Sequence, residues 1–118
     1  IVLIIETRPE VAAALEEVVT SARYAPIVRP HIEHLSDLEV APAAIIVRIA
    51  FEGVGEPQHA VIGRLANRPP VVAIAWEDGE VAEAARLKCE VVLRAPDDVG
   101  RLCEALTAVI NPSIAAMP

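Results

Sequence analysis

The chain has 118 residues, of which 54% are apolar, and its formal net charge at pH 7 is −7. This length fits one compact domain, and the apolar content excludes an intrinsically disordered chain. The negative charge argues against binding to nucleic acids or anionic membranes through this domain. No signal peptide is visible and no apolar run approaches the roughly 20 residues of a membrane-spanning helix, so we expect a cytoplasmic protein.

Five apolar segments rich in β-branched residues predict strands. They are Val2–Ile5, Ile27–Val28, Ala44–Ile49, Val71–Ala75 and Val91–Leu93. Strands that are apolar on both faces and alternate with helices are typical of a parallel sheet covered on both sides. With right-handed crossovers, a (βα)5 chain of this length fits a flavodoxin-like α/β fold. Its five parallel strands would follow the order 2-1-3-4-5, with helices on both faces.

Two helices are predicted from apolar stripes with helical spacing. The first stripe follows Pro9, which suits a first helical turn, and consists of Val11, Leu15, Val18, Val19 and Ala22. The second would begin at an N-cap supplied by Asp97 or Asp98 and end before Asn111, and it consists of Val99, Leu102, Cys103, Leu106, Val109 and Ile110. Three further helices are predicted over Ile32–Leu38, Pro57–Ala66 and Asp78–Leu87.

Four segments resemble a known family. "LIIETRPEVAAALEEVV", "PAAIIVRI" and "PPVVAIAW" resemble the first, third and fourth strands, with their flanking residues, of two-component receiver domains of the chemotaxis type. "AARLKCEVVLRAP" matches the receiver pattern before and through the fifth strand without a gap. The resemblance implies the flavodoxin-like fold, a receiver-like domain over residues 1–110, and a C-terminal tail or the start of a linker over residues 111–118.

The residues of the receiver phosphorylation site are mostly replaced. The resemblance puts Glu6 and Thr7 at the positions of the acidic pair that holds Mg²⁺, and Arg48 at the position of the phospho-accepting aspartate. Ala75 stands for the hydroxyl residue and Ala95 for the lysine that contact the phosphoryl group. These five residues are therefore the positions of a degenerate phosphoacceptor pocket.

This replacement excludes the chemistry of the family at that pocket. Phosphoryl transfer needs a carboxylate nucleophile and a divalent cation that neutralises the developing charge. Arg48 cannot deprotonate, and beside Glu6 it leaves a site of about zero net charge for Mg²⁺. We therefore predict a domain that is not an enzyme and has no catalytic residue, bound metal or cofactor.

Arg48 has two interpretations. Because the first and third strands are neighbours in the predicted order, Arg48 can pair with Glu6 and fill the pocket. Alternatively, Arg48 can bind an anion, such as a phosphorylated ligand or a carboxylate of a partner.

The resemblance implies a non-phosphorylatable pseudo-receiver that acts as a protein-interaction module in bacterial two-component signalling. Its partner would be a histidine kinase, an attached output domain or a second copy, and we expect a homodimer. The candidate interface follows the fourth helix, fifth strand and fifth helix of receivers and contains Trp76, Glu83, Arg86, Lys88, Arg94, Asp97 and Arg101. One alternative is a sensor of a small anion or ligand near Arg48. Another is a receiver that is phosphorylated at an unusual residue, for which Glu6 is the only acid of the original site.

Other candidate sites are weaker. "HIEH" at residues 31–34 lacks further zinc ligands at useful spacing, since His59 lies in a different connection. Gly53-x-Gly55 lacks the remaining residues of a phosphate loop. Cys89 and Cys103 have no Cys-x-x-Cys spacing, and we expect both to be free thiols that fill the core.

Overall fold

The computed structural model describes residues 1–30, 41–49, 62, 68–95 and 97–110. The strands are β1 (Val2–Ile5), β2 (Pro26–Arg29), β3 (Ala44–Arg48), β4 (Val71–Ala75) and β5 (Val91–Arg94). The helices of these residues are α1 (Pro9–Ser21), α2 (Asp78–Arg86) and α3 (Leu102–Ile110), and a 3₁₀ turn (Val99–Arg101) precedes α3.

The five strands form one parallel sheet in the order β2-β1-β3-β4-β5, as predicted. Ile5 of β1 lies beside Arg29 of β2 on one side and Val47 of β3 on the other. Arg48 lies beside Ile74 of β4, and Ala75 lies beside Arg94 of β5. All the carboxyl ends therefore meet along one edge of the sheet, where ligand sites of open α/β folds form.

Both faces of the sheet are covered, which explains why the strand sequences are apolar without alternation. On one face, side chains such as Ile4 and Ile46 pack with Leu15 of α1 and with Leu102 and Leu106 of α3. The opposite face carries a second set of buried side chains, namely Leu3, Ile5, Ile45, Val47, Ile62 and Val71. On that face Ala73 also packs with Ala84 of α2.

The predicted stripes of α1 and α3 face the core. In α1, which has Pro9 in its first turn, Leu15 and Val19 are buried. In α3, Leu102 and Leu106 are buried. Other members of the two stripes are partly buried against the same cluster, namely Val11, Val18, Val109 and Ile110. The helix predicted over Asp78–Leu87 is α2 and ends one residue earlier.

The Asp98 side chain, one of the two predicted N-caps, bonds the end of β5 instead of a helix. Its carboxylate accepts a hydrogen bond from the Arg94 N–H at 3.0 Å, and its own N–H donates to the Arg94 carbonyl at 2.7 Å. The next N–H, that of Ala95, donates instead to Ala75 of β4. Since successive N–H groups of a strand point to opposite sides, Asp98 covers the outer edge of β5. Its main-chain carbonyl accepts the Arg101 N–H of the 3₁₀ turn.

Several predicted features lie outside the described residues. They are the helix over Ile32–Leu38 with the "HIEH" segment, Gly53-x-Gly55, His59, the tail over residues 111–118 and, apart from the buried helical Ile62, the helix over Pro57–Ala66. Within the described ranges, none of the helices has the length and apolarity needed to cross a membrane.

Two helices end at residues in the left-handed region. Arg23 follows α1 with φ 69° and Lys88 follows α2 with φ 59°. After α2, the Lys88 N–H donates to the Ala85 carbonyl and the Cys89 N–H to the Ala84 carbonyl, which is the pattern of a Schellman ending. Arg68 donates to the carbonyls of Leu87 and Lys88 and holds this turn. The position favours glycine, so lysine is strained there.

We expect Lys88→Gly to raise the free energy of unfolding by about 0.5–1 kcal/mol, because relief of the left-handed strain exceeds the entropy that glycine adds to the unfolded chain. Urea unfolding followed by circular dichroism measures the change. Lys88→Ala is the matched control, since it removes the side chain and keeps the strain. Equal stability of the two variants would contradict this account.

Candidate functional site

Glu6 and Arg48 meet at the carboxyl edge of the sheet. Glu6 directly follows β1 and Arg48 ends β3, and the pairing of these two strands makes them neighbours. The Arg48 Nε lies 3.4 Å from the Glu6 Oε2. The Glu6 side chain is 2% exposed and that of Arg48 is 28% exposed. Of the two interpretations of Arg48, the ion pair with Glu6 is the contact that the structure contains.

Arg8 is a second guanidinium at this carboxylate. The Glu6 Oε1 accepts hydrogen bonds from the Thr7 N–H at 3.0 Å and the Arg8 N–H at 3.1 Å. The turn that these bonds close brings the Arg8 Nε to 3.6 Å from the same oxygen. The sequence reasoning missed Arg8. The available signal was an arginine two residues after Glu6, in the short connection between β1 and the Pro9 that opens α1.

Two buried polar atoms of this cluster make no hydrogen bond with the described residues. They are the Glu6 Oε2 and the Arg8 Nε. The first is an acceptor and the second is a donor, and a buried group of either kind without a hydrogen bond costs about 1–3 kcal/mol. The charges of Glu6, Arg8 and Arg48 add to +1, from one carboxylate and two guanidiniums.

The other three predicted pocket positions lie at the same edge. Thr7 is exposed, while Ala75 ends β4 fully buried. Ala95 is also buried, and its N–H donates to the Ala75 carbonyl at 2.7 Å. Ala75 and Ala95 are therefore adjacent, and neither has a side-chain donor for a bound phosphoryl group.

The described residues of this pocket do not fit Mg²⁺. That ion prefers several oxygen ligands in near-octahedral geometry. Here one oxygen of Glu6 accepts two N–H groups and the other faces Arg48. Across the described ranges, no three His, Cys, Asp or Glu side chains are grouped so that they could hold a metal ion. A guanidinium at this distance would also repel a divalent cation.

The predicted interface residues lie around α2, β5 and α3. Trp76 follows β4 and is 45% exposed, and its main-chain N–H donates to the Glu80 carboxylate at 2.7 Å. Lys88 and Asp97 are exposed. The remaining members form ion pairs on the surface, which are Arg86 with Glu83, Arg94 with Asp78 at 2.5 Å, and Arg101 with Glu104 at 3.9 Å.

A groove of about 320 Å³ runs between β5 and α3. Its walls are Val91, Val92, Leu93, Asp98, Arg101, Glu104, Ala105 and Ala108. Of the predicted interface residues, only Arg101 is among them. The sequence reasoning missed this groove, although the three-residue spacing of Ala105 and Ala108 places two small side chains on one side of α3.

Both cysteines are free and half-buried. Burial raises the pKa of the Cys89 thiol, an effect that the positive charge of Arg68 partly opposes. A raised pKa keeps the thiol protonated near neutral pH, so Cys89 is not an activated nucleophile. Cys103 lies on α3, and its Sγ contacts the Val18 carbonyl at 3.8 Å. Cys103 therefore packs α3 against α1.

Solved structures of response regulators are similar to this chain. A response regulator receiver protein from Burkholderia phymatum is 21% identical, with 92% of this chain and 93% of that chain covered and a TM-score of 0.75. A receiver domain protein from Clostridium thermocellum is 11% identical, with 98% of both chains covered and a TM-score of 0.78. The chain has the receiver-domain fold. The predicted resemblance is thus confirmed at the level of the fold.

A third similar structure is a response regulator in its Mn²⁺-bound form. It is 12% identical, with 99% of this chain and 96% of that chain covered and a TM-score of 0.66. The same fold therefore holds a divalent cation in that protein, whereas the pair of Glu6 and Arg48 does not suit one here. No protein-family model matches the sequence, and no curated protein matches it.

We expect Arg48→Asp to lower the free energy of unfolding and to create a Mg²⁺ site, because the introduced aspartate and Glu6 would repel each other in one pocket. At Mg²⁺ tenfold above its Kd the gain in stability is about 1.4 kcal/mol, and the melting temperature rises by roughly 5 °C. Thermal unfolding with and without MgCl₂ measures the effect.

The parent and the matched variant Arg48→Asn should both be indifferent to Mg²⁺, since neither has a second carboxylate. A parent that Mg²⁺ stabilises, or an Arg48→Asp variant that it leaves unchanged, would contradict this description of the site.

Proposed function

We propose that this domain is a pseudo-receiver, a protein-interaction module of bacterial two-component signalling that acts in the cytoplasm without accepting a phosphoryl group. The observation that carries the proposal is the ion pair between Arg48 at the end of β3 and the buried Glu6. It supports a pocket whose single buried carboxylate is already paired with a side chain of the domain, in a fold where charge change at this edge would otherwise drive signalling.

Among the described residues, the predicted pocket positions do not supply the nucleophile and the phosphoryl contacts that phosphoryl transfer in receiver domains would need. A nucleophile must offer a lone pair to phosphorus, and the guanidinium of Arg48 offers none at physiological pH. Developing charge on the phosphoryl oxygens needs a cation or directed donors, and Ala75 and Ala95 supply no side-chain donor. Glu6 is the one carboxylate among the predicted pocket residues, and its Oε1 already accepts two N–H groups. These features support a domain that is not an enzyme.

The surface around α2, β5 and α3 supports a role in protein contacts. Trp76 is the one large apolar side chain that is exposed within the described ranges, and exposed tryptophan is typical of interface anchors. Both signs of charge occur on these elements, in the ion pairs of Arg86 with Glu83, Arg94 with Asp78 and Arg101 with Glu104. Such a pattern selects partners by charge complementarity. A histidine kinase, an output domain or a second copy of this chain is the partner that we propose.

We expect no phosphorylation of the parent by acetyl phosphate with Mg²⁺, because the nucleophile and the cation site are both replaced. Intact-protein mass spectrometry should show no gain of about 80 Da, the mass of one phosphoryl group. A response regulator known to accept phosphate under the same conditions is the positive control. An added phosphoryl group that disappears in Glu6→Gln would instead identify Glu6 as an unusual acceptor and overturn the proposal.

We expect the domain to form a homodimer that Arg101→Glu weakens roughly tenfold, because each charge occurs twice in a two-fold interface. Sedimentation velocity over a range of protein concentrations measures the dissociation constant. Arg23→Glu is the matched control, since Arg23 is exposed and follows α1 at the opposite edge of the sheet. A monomer at all concentrations, or equal weakening by both variants, would rule out this surface as the dimer interface.

A further inference from the structure

The carboxylate of Glu6 is surrounded by more positive charge than it can neutralise. Arg8 and Arg48 both approach it through Nε, at 3.6 and 3.4 Å. One negative and two positive charges leave the cluster at +1. A cluster of this kind at the carboxyl edge of a parallel sheet favours the binding of one small anion.

The two buried atoms without hydrogen bonds restrict the chemistry of that anion. The Arg8 Nε requires an acceptor and the Glu6 Oε2 requires a donor. A fully deprotonated oxyanion supplies acceptors only, so one of its oxygens would face the Glu6 carboxylate without a hydrogen bond. An oxyanion that keeps a proton supplies both, since its oxygens accept from the guanidiniums and its hydroxyl donates to Glu6.

Solvent reaches both arginines. Their side chains are 43% exposed for Arg8 and 28% exposed for Arg48, although the Nε of Arg8 is buried. Both contacts with Glu6 use Nε, so neither of them occupies the terminal nitrogens of the two guanidiniums. The contact of Arg48 with Glu6 is a long ion pair that leaves the Glu6 Oε2 without a hydrogen bond. A hydroxyl that reaches this buried oxygen would therefore supply the hydrogen bond that it lacks.

The start of α1 adds to this site. Arg8 is the N-cap residue of this 13-residue helix and makes no side-chain hydrogen bond to its first turn. The uncapped end of the helix therefore presents partial positive charge at the edge where Glu6 and Arg48 lie. Glu10 in the first turn opposes an anion, but it is exposed, so solvent and salt screen it.

We propose that this pocket reversibly binds one protonated oxyanion of the phosphate class, held by Arg8 and Arg48 through its oxygens and by Glu6 through its hydroxyl. No bond to phosphorus forms or breaks. This goes beyond the proposed function, because an interaction module needs no small ligand. The occupancy of this site would follow the concentration of free phosphate, without phosphorylation of the protein.

The test compares inorganic phosphate with sulfate, each against sodium chloride at matched ionic strength, near neutral pH where phosphate keeps a proton and sulfate does not. Isothermal titration calorimetry measures the Kd, and thermal unfolding measures the stabilisation. We expect phosphate to bind the parent more tightly than sulfate. Arg48→Gln and Arg8→Gln should each weaken phosphate binding roughly 10- to 100-fold, because each removes a charge-assisted hydrogen bond.

Two matched variants separate the site from general salt effects. Arg23→Gln removes an exposed arginine elsewhere and should leave the Kd of phosphate unchanged. Glu6→Gln keeps an oxygen for the N–H groups of Thr7 and Arg8 but removes the carboxylate, so the preference for phosphate over sulfate should be lost. Circular dichroism of each variant shows whether it is folded. If Glu6→Gln does not fold, the arginine variants and Arg23→Gln still test the site.

The proposal is overturned if phosphate and sulfate stabilise the parent equally, or if Arg48→Gln binds phosphate as tightly as Arg23→Gln does. A parallel titration with phosphoserine tests the role of the hydroxyl, because the second pKa of a phosphate ester is about 6 and the group is mostly without a proton near neutral pH. Phosphoserine binding as tight as that of inorganic phosphate would overturn the proposal, and weaker binding supports it. These titrations contain no phosphoryl donor and no partner, so their failure would leave the proposed interaction role untouched.

Discussion

The buried carboxylate of Glu6 is the group on which the arrangement of the carboxyl edge depends. Burying a charge is unfavourable unless hydrogen bonds and opposite charges compensate for it. Glu6 accepts hydrogen bonds from the main-chain N–H groups of Thr7 and Arg8, which closes the turn between β1 and α1. It also forms ion pairs with the guanidiniums of Arg8 and Arg48. Removing the carboxylate would therefore release the turn and leave two cations close together, so a single side chain ties β1, α1 and β3 to one geometry.

The charges around Glu6 also show that the same fold can be kept while the chemistry at its carboxyl edge changes. A receiver-domain fold with a carboxylate nucleophile presents a net negative edge that attracts a metal ion. Here an arginine ends β3, and the same edge has surplus positive charge around Glu6. The hydrophobic layers underneath are unaffected, because Ile4, Ile46 and their neighbours pack below the edge. The scaffold and the site can therefore change independently, which is general for folds that carry function on the connections after their strands.

The proposed interaction surface is built on elements that pack against the core. The exposed Trp76 directly follows β4, Arg94 ends β5, and Arg101 directly precedes α3. Asp98 protects the outer edge of β5 by taking both main-chain groups of Arg94. Addition of a further strand at this end of β5 is therefore hindered.

The sequence by itself determined the strands, their order and the two main helices, because apolar runs and helical stripes reflect burial directly. It also predicted that Glu6 and Arg48 lie close together, since neighbouring parallel strands end at the same edge. Only the tertiary structure showed that Arg8 returns to Glu6, because that contact depends on the turn conformation. The same is true of Asp98. Its residue type predicts a helix N-cap, but its carboxylate accepts a hydrogen bond from Arg94 of β5. Local patterns identify which residues are buried, whereas the direction of a polar side chain depends on which donors the folded chain leaves unpaired.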